Sequence, residues 1–547
     1  MSKRDELVFL PLGGSGEIGM NFNAYGFGPA HRRQWIVVDC GITFGRETDT
    51  PGVDIIMPDI RFLAEQHETV LGIVATHAHE DHIGAIAPLW PSLKCPIYAT
   101  PFTARLVEGK LAEAGLSVPV NQVPVGGSLR LGPFAIDFIS ITHSILEPNL
   151  LAIRTPLGVI AHTGDWKIDP EPVLGEMTNA AAIQKLGDEG VLALVCDSTN
   201  ALVPGHSGSE AKVRASLSDL IGTLKGRVAV TSFASNVARL DSIAHAARTH
   251  GRKLALVGRS MHKIVAAARD SGYLADFPAT LDAAEASELP ARKVLYLVTG
   301  SQGEPRAALG RIAENNHPDV RLGKGDAVIF SSRIIPGNEL PIHELHNKLA
   351  ALGVEILTAE DHFVHVSGHP AREELAEMYR WTRPQIAVPV HGELRHMAEH
   401  ARLAKSLQVP QALVPANGQL YRLAPGPAEL IDEVPSGRLH MDGRVLVAEG
   451  EGLAKARRAM SYAGLIAITL VLDEKGRVAA DAAVLAEGMP QPVASAVQAA
   501  VDETLRRHNP KKSDGEELRE TVRRAARRAA QDAWGKKPVT RVTVVEL

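Results

Sequence analysis

Apolar residues in the first 200 positions come in short runs, each closed by polar side chains. The runs are WIVVDCG (35–41), LGIVATHAHEDH (71–82), FAIDFISITHS (134–144), GVIAHTGDW (158–166) and VLALVCDSTN (191–200). Their length and β-branched content predict strands, with helices over 60–66 and 104–114 between them. Polar residues gathered at strand ends are how α/β proteins assemble active sites. From about 208 to 367 the rhythm changes to strand–helix–strand: RVAVTSF, KLALVGRSM, KVLYLVTGSQ and DAVIFSSRII, separated by Ala-rich stretches. That alternation predicts βαβ units around a mainly parallel sheet. FVHVSGHPAREEL (363–375) and IAVPVHGELRHM (386–397) then read as strand–turn–helix with His in the turn. Pro and Gly around 425–443 suggest a linker. Beyond 463 come a strand (LIAITLVL), two helices over about 492–507 and 516–533, and a final strand (VTRVTVVEL). There is no internal repeat.

With 547 residues, 45% hydrophobic and 22% charged, the chain has material for about three or four folding units. This composition excludes a disordered chain, a collagen-like fibre or a disulfide-stapled module. No apolar run approaches the ~20 residues that span a bilayer, and MSKRDELVFL lacks the apolar core of a secretory signal. Three Cys suit a reducing compartment, so a soluble cytoplasmic protein with no membrane partner is expected. Lys+Arg number 58 and Asp+Glu 63, a net charge of −5. Affinity for a polyanion must therefore come from a local patch. Arg519, Arg523, Arg524, Arg527 and Arg528 are read as a solvated helix face, with Leu518, Val522, Ala525 and Ala529 opposite them.

The most informative hexapeptide is His77-Ala78-His79-Glu80-Asp81-His82. In a loop after a strand, alternate imidazoles can converge on one cation while Asp81 and His82 turn toward a second. Nitrogen and carboxylate donors suit zinc, with manganese as the alternative. Two such ions ~3.5–4 Å apart would polarise a phosphoryl or carbonyl oxygen and hold a hydroxide between them. His143, Asp165 and His391, each after its own strand, extend the set, and Asp165 has two oxygens to share between ions. A single His at a strand end is ordinarily a surface or core residue; it is the concentration here that argues for metal. Asp39 is expected to orient a ligand imidazole from behind. Glu80 is read as a bystander or as a support behind a ligand, and Cys40 and Cys196 as small buried residues.

HAHEDH with His143, Asp165 and Asp39 resembles the metallo-β-lactamase superfamily. Asp197 (CDSTN), His369 (SGHP) and His391 (PVHGE) resemble the motifs of its β-CASP nuclease branch. LGGSGEIGMN, ITFGRETDTPGVDIIMPD and the tail after 463 are similar to the bacterial ribonuclease J family; Ser15, where a larger apolar residue is expected, is a small departure. The resemblance implies a metallo-β-lactamase αββα sandwich (1–207 and 368–436) interrupted by an α/β β-CASP domain (208–367). A linker (437–462) and a small α+β C-terminal domain (463–547) would follow. It also implies one zinc on His77, His79, His143 and Asp165, and a second on Asp81, His82, Asp165 and His391. The implied activity is 5′→3′ exoribonuclease with endonuclease activity, in RNA maturation, rRNA processing and mRNA decay. Implied partners are the RNA substrate, further copies of the chain in a dimer or tetramer, and an RNA-degradation complex.

In chemical terms, hydroxide would attack the scissile phosphorus in line with the leaving 3′ oxygen, with Asp81 among the catalytic ligands. His369 is the candidate donor to a non-bridging oxygen, and Asp197 would anchor a loop or a ligand His. Ser232, Ser235 and Asn236, Ser331 and Ser332, and His365, Ser367, Gly368 and His369 form three polar turns after strands. Singly each reads as a helix cap; together they suggest a pocket for a 5′-monophosphate. A glyoxalase- or lactonase-like hydrolase would not need the inserted domain, and an inactive RNA-binding scaffold should have lost metal ligands. A DNA-processing nuclease of the same branch is disfavoured by the tail.

Overall fold

The computed structural model describes residues 4–304, 306–510 and 514–547, which divide into two units. The first comprises the chain up to Thr43 and Met57–Gly437. Its apolar runs are buried on both faces, as in Gln34–Val38, where every residue but Gln34 is covered. Eight of these strands make one sheet, whose middle runs Glu6–Gly13, Phe22–Gly28, Gln34–Val38, Val70–Val74. Seven make a second, with Phe134–Ser140, Asn149–Thr155, Gly158–His162, Val191–Asp197 and Ile386–Val390 as consecutive neighbours. Phe9, Tyr25, Ile36 and Val38 of the first sheet share one core with Phe138, Ile153, Val195 and Val388 of the second. Helices Ala180–Glu189, Arg372–Thr382 and Leu394–Ser406 cover the outer face of the second sheet through Ile183, Leu375, Met378 and Leu403. Helix Pro101–Glu113 lies on outer strands of the first. The result is an αββα sandwich.

Val191–Asp197 and Ile386–Val390 are adjacent parallel strands, Val195 opposite Val388. The chain leaves the sandwich after Val191–Asp197 and rejoins it at helix Arg372–Thr382, so the stretch between is an insertion at one point of the sandwich. It holds a five-stranded, wholly parallel sheet in the order Lys253–Val257, Val294–Val298, Val228–Thr231, Ala327–Phe330, Glu355–Leu357. Val228–Thr231 comes first in the chain but lies in the middle. The chain order reverses beside it, which opens a crevice at the carboxyl ends of the central strands.

The second unit comprises Phe44–Ile56 and Arg438–Leu547. Residues 437–462 are not the bare linker expected from their Gly and Pro content. They hold the hairpin Arg438–Asp442/Val445–Ala448 and the helix Leu453–Ala463, because glycines there turn a hairpin and start a helix. Arg457 of that helix forks onto Asp442 (3.1 and 2.8 Å) and reaches the Pro51 carbonyl at 3.2 Å. Likewise Glu429–Glu433, inside the predicted 425–443 linker, pairs with Gln419–Ala424. Leu465–Leu472 then pairs with Val478–Glu487 and Val539–Glu546. Its residues alternate buried and half-buried, and helices Gln491–Arg506 and Gly515–Trp534 cover the buried side. On Gly515–Trp534 the covered row is Leu518, Val522, Ala526 and Ala530. The expected Ala525 and Ala529 lie only half-buried beside it; a spacing of four, not three, continues the row begun by Leu518 and Val522.

Candidate metal centre

The sandwich brings the strand-end residues to one edge. His77 and His79 follow Val70–Val74, His143 follows Phe134–Ser140, Asp165 follows Gly158–His162, and His391 follows Ile386–Val390. His79 Nδ1 lies 3.2 Å from His77 Nε2 and 3.1 Å from His143 Nε2. Asp165 Oδ2 is 3.9 Å from the first of those Nε2 atoms and 3.8 Å from the second. A tetrahedral zinc with bonds of about 2.0–2.1 Å has donor–donor edges of roughly 3.3–3.4 Å. The four atoms fit that cage without moving far. A second group adjoins it. His82 Nε2 is 3.2 Å from the same Asp165 Oδ2 and 3.7 Å from Asp81 Oδ2, and His391 Nε2 is 3.1 Å from Asp81 Oδ2. Oδ2 of Asp165 is thus the atom common to both groups. A third cluster joins Asp165 and His391 to Asp197 and His369.

The rings are held from behind. Asp39 accepts the Thr76 N–H (2.7 Å), the Thr76 hydroxyl (2.9 Å) and His82 Nδ1–H (2.7 Å). Since the Thr76 proton goes to Asp39, its oxygen accepts from His77 Nδ1–H at 2.9 Å. His143 Nδ1–H donates to the Gly368 carbonyl at 2.6 Å, and His391 Nδ1 faces Asp165 Oδ1 at 2.9 Å. In His77, His82 and His143 the proton is thus fixed on Nδ1 and Nε2 turns to the site, the arrangement a metal-binding imidazole needs, with the Asn21 amide also approaching His82 Nε2. Burial pulls His77 and His143 well below the usual imidazole range and His79 down to about 4, so these rings are neutral. At His82 and His391 burial acts the same way but is outweighed, chiefly by Asp165, and both are raised. His369 is opposed by burial and raised by Asp197, which it meets at 2.8 Å, and by Asp165.

The three polar turns come together unevenly. Ser232 and Ser331 follow the two neighbouring central strands, at the crevice of the inserted sheet. Ser331 Oγ is committed, donating to the Val364 carbonyl and accepting from Arg239. Asn236 caps helix Val237–Thr249 and donates to Glu210. Ser332 is buried next to Ser331, and Ser235 is half-buried. Spare capacity remains on Ser232 Oγ and His365 Nδ1, which are buried without a hydrogen-bond partner among the described residues. Ser367 Oγ accepts from Asn200 and the His369 N–H, so its own proton is free. Burial and then Arg239 push His365 down to about 3; its ring is neutral. Gly368 is required as glycine, because a Cβ there would meet His143 Cε1 at 2.7 Å and Ser144 Oγ at 2.6 Å.

Sequence reasoning missed several of these supports. Asn21 of LGGSGEIGMN lies 3.1 Å from His82 Nε2. Asn200 was visible in CDSTN but unassigned. Fully buried Arg239, ion-paired with Glu210 at 2.9 Å, had no sequence signal beyond a helix start.

Four family descriptions match along the chain: Metallo-beta-lactamase superfamily over 23–171, Ribonuclease J, beta-CASP domain over 225–349, Zn-dependent metallo-hydrolase RNA specificity domain over 354–412, and Ribonuclease J C-terminal domain over 453–547. Ribonuclease J of Sinorhizobium meliloti is 46% identical over 100% of this chain and 98% of its own length. The chain belongs to the ribonuclease J family. Other members include those of Thermus thermophilus (39% identical, 86% of this chain, 83% of that one) and Mycolicibacterium smegmatis (36%, 98% and 96%). A solved protein of unknown function from Enterococcus faecalis shares the fold, with a TM-score of 0.53 at 14% identity over 76% of this chain and 99% of that chain. Membership makes this chain a metal-dependent ribonuclease with a divalent-metal site and RNA as substrate. No helix among the described residues is long and apolar enough to cross a membrane.

Proposed function

We propose that the chain is a two-zinc ribonuclease that degrades RNA 5′→3′ from a monophosphorylated end, with endonucleolytic cleavage alongside, in RNA maturation, rRNA processing and mRNA decay. The observation that carries this reading is the pair of donor groups sharing Asp165 Oδ2, with the His369–Asp197 pair beside them. One ion would be held by His77, His79, His143 and Asp165, the other by Asp81, His82, Asp165 and His391. When bound, such ions supply Lewis acidity to the phosphodiester and activate water for in-line attack. His369, whose proton affinity Asp197 and Asp165 raise against burial, donates to a non-bridging oxygen as negative charge builds there. Asp197 fixes the ring by accepting from Nδ1. RNA would approach through the opening beside His143 that Glu147 lines from the sandwich and Glu210 and Tyr273 from the insertion.

Directionality needs a site that recognises the end at a fixed distance from the scissile bond. Ser232, His365 and Ser367 offer neutral donors, Ser232 at the crevice where α/β sheets bind ligands. A triphosphate would fit such a pocket poorly, and a 5′-hydroxyl would forgo charge-assisted bonds of ~1.5–3 kcal/mol each. Metal analysis together with digestion of 5′-labelled RNA bearing monophosphate, triphosphate or hydroxyl ends, and of DNA, tests the reading. Two zinc ions per chain and fastest decay of the monophosphate are expected. Equal rates on all three ends would reduce the turns to helix caps. Substituting Ser367 by Val should slow decay from the monophosphate while sparing internal cleavage.

A further inference from the structure

Charge is divided unequally along this chain. Residues 453–547 contain 17 Lys+Arg and 12 Asp+Glu, net +5, while the preceding 452 contain 41 and 51, net −10. An acidic enzyme with a polyanionic substrate gains most from a basic region set apart from its bulk. Five of those cations lie on helix Gly515–Trp534, which nets +1 after Glu516, Glu517, Glu520 and Asp532, and whose covered row is Leu518, Val522, Ala526 and Ala530. Arg519, Arg523 and Arg527 step by four along the adjoining flank, and at 100° per residue Trp534 falls on the same flank. From Arg519 to Trp534 this row runs about 22 Å along the axis. Arg523 and Arg524 share one carboxylate, Glu520, at 2.7 and 2.8 Å. Arg527 has no ion-pair partner among the described residues. Exposed pairs such as these are weak and readily exchanged for phosphate. At the end of the row Lys536 Nζ sits 4.7 Å from the Trp534 ring centre and 4.5 Å from that of Tyr462, and donates to the Tyr462 carbonyl at 2.9 Å. Tyr462 is 69% exposed, which leaves an aromatic surface steadied by a cation and open to solvent.

We infer that this flank is a second contact for single-stranded RNA, its Arg row taking backbone phosphates and Tyr462 stacking on a base. This site rests on the ribonuclease reading and adds to it a grip on RNA outside the metal centre. It replaces the solvated helix face read from the sequence. An acidic protein would match the charge but leave the aromatic end unexplained, so RNA is the occupant favoured.

The test uses the full-length enzyme and the variant Arg523→Gln/Arg527→Gln, both checked by circular dichroism and sedimentation. Substrates are a 5′-monophosphorylated, unstructured 30-mer and a hexamer of the same sequence. The 30-mer KM of the variant should rise about tenfold with kcat retained, and the effect should fall away for the hexamer. The slope of log KM against log salt should drop by roughly 1.4, since each single-strand phosphate contact contributes about 0.7. Photocrosslinking of a 4-thiouridine 30-mer to the wild type should label the peptides holding Tyr462 and Trp534. An unchanged KM and salt slope for the 30-mer, or crosslinks confined to residues before 438, overturn the inference. So does polyglutamate binding to the flank with RNA affinity unaltered. Failure of the wild type to cleave either RNA would instead sink the ribonuclease reading itself.

Discussion

At Asp39 one carboxylate sets the tautomer of two imidazoles, His82 directly and His77 through the Thr76 hydroxyl. The sequence offered Asp39 as a residue behind a ligand, since it closes a strand. The relay through Thr76 was not legible, because it depends on which way a hydroxyl proton turns. Asp39→Asn would put an amide N–H against donors, misorienting both rings. Metal affinity should fall ten- to a hundredfold, and excess zinc should restore activity; a competitive chelator titration checks this, and unchanged affinity would leave Asp39 without that role. Removing donors outright is a different experiment. Asp81→Ala/His82→Ala deletes two of the four groups proposed to hold one ion and should lower kcat by orders of magnitude while RNA binding persists. A normal rate in that variant would refute the two-metal mechanism. His369→Gln keeps a hydrogen-bonding group but not the imidazole whose proton affinity Asp197 and Asp165 raise, so kcat should drop about a hundredfold with metal content unaltered by elemental analysis.

Among elements, those marked by hydrophobic rhythm were the most legible. The five apolar runs before 200, the parallel strands of the insertion and the two strands and two helices expected in the tail stand where the pattern put them, but Val478–Glu487 adds an unexpected strand to the tail and FVHV at 363–366 forms none. Punctuation misled between 425 and 462, where Gly and Pro mark the ends of an edge strand, a hairpin and a helix. No local signal could show that 44–56 joins residues 438–547, since such pairing is set by packing between distant segments. The same holds for the turn at 367–369. Its SGHP letters suggest a cap, yet the helix they precede starts at Arg372 with Ala371 as its cap, and the turn serves instead as a platform under His143. Gly368→Ala tests that platform. The added methyl would press on His143 Cε1 and Ser144 Oγ, at an overpacking cost of roughly 1–3 kcal/mol, unless His143 swings away. A fall in kcat of at least tenfold with loss of bound metal is expected. Full activity with only a lowered Tm would mean that the turn yields instead of the ligand.

On the scale of the whole molecule, chemistry and charge are segregated: the donor groups sit in the first unit and the net positive charge in the tail of the second. That tail also leaves a surface uncovered. Its sheet buries Ile466, Ile468, Leu470 and Leu472 beneath two helices, while Leu465, Ala467, Thr469 and Val471 face the other way, half-buried. Leu485 stands opposite Ala467 and Val545 beside Val471 on that open side, 51% and 42% exposed. A three-stranded sheet with one apolar face open to water presents the kind of contiguous apolar patch that marks association surfaces. A second copy of the chain, presenting the same face about a two-fold axis, satisfies both copies at once. The basic helix flank lies on the covered side of the sheet, so such pairing would leave it available to RNA. Leu485→Glu places a charge in the middle of the proposed contact without touching the buried row. It should shift the protein toward monomers in sedimentation while circular dichroism stays unchanged, and truncation at Gly464 should do the same. A dimer that survives both changes would put the interface on another surface. One that survives the point charge alone would mean that the contact lies elsewhere on the tail.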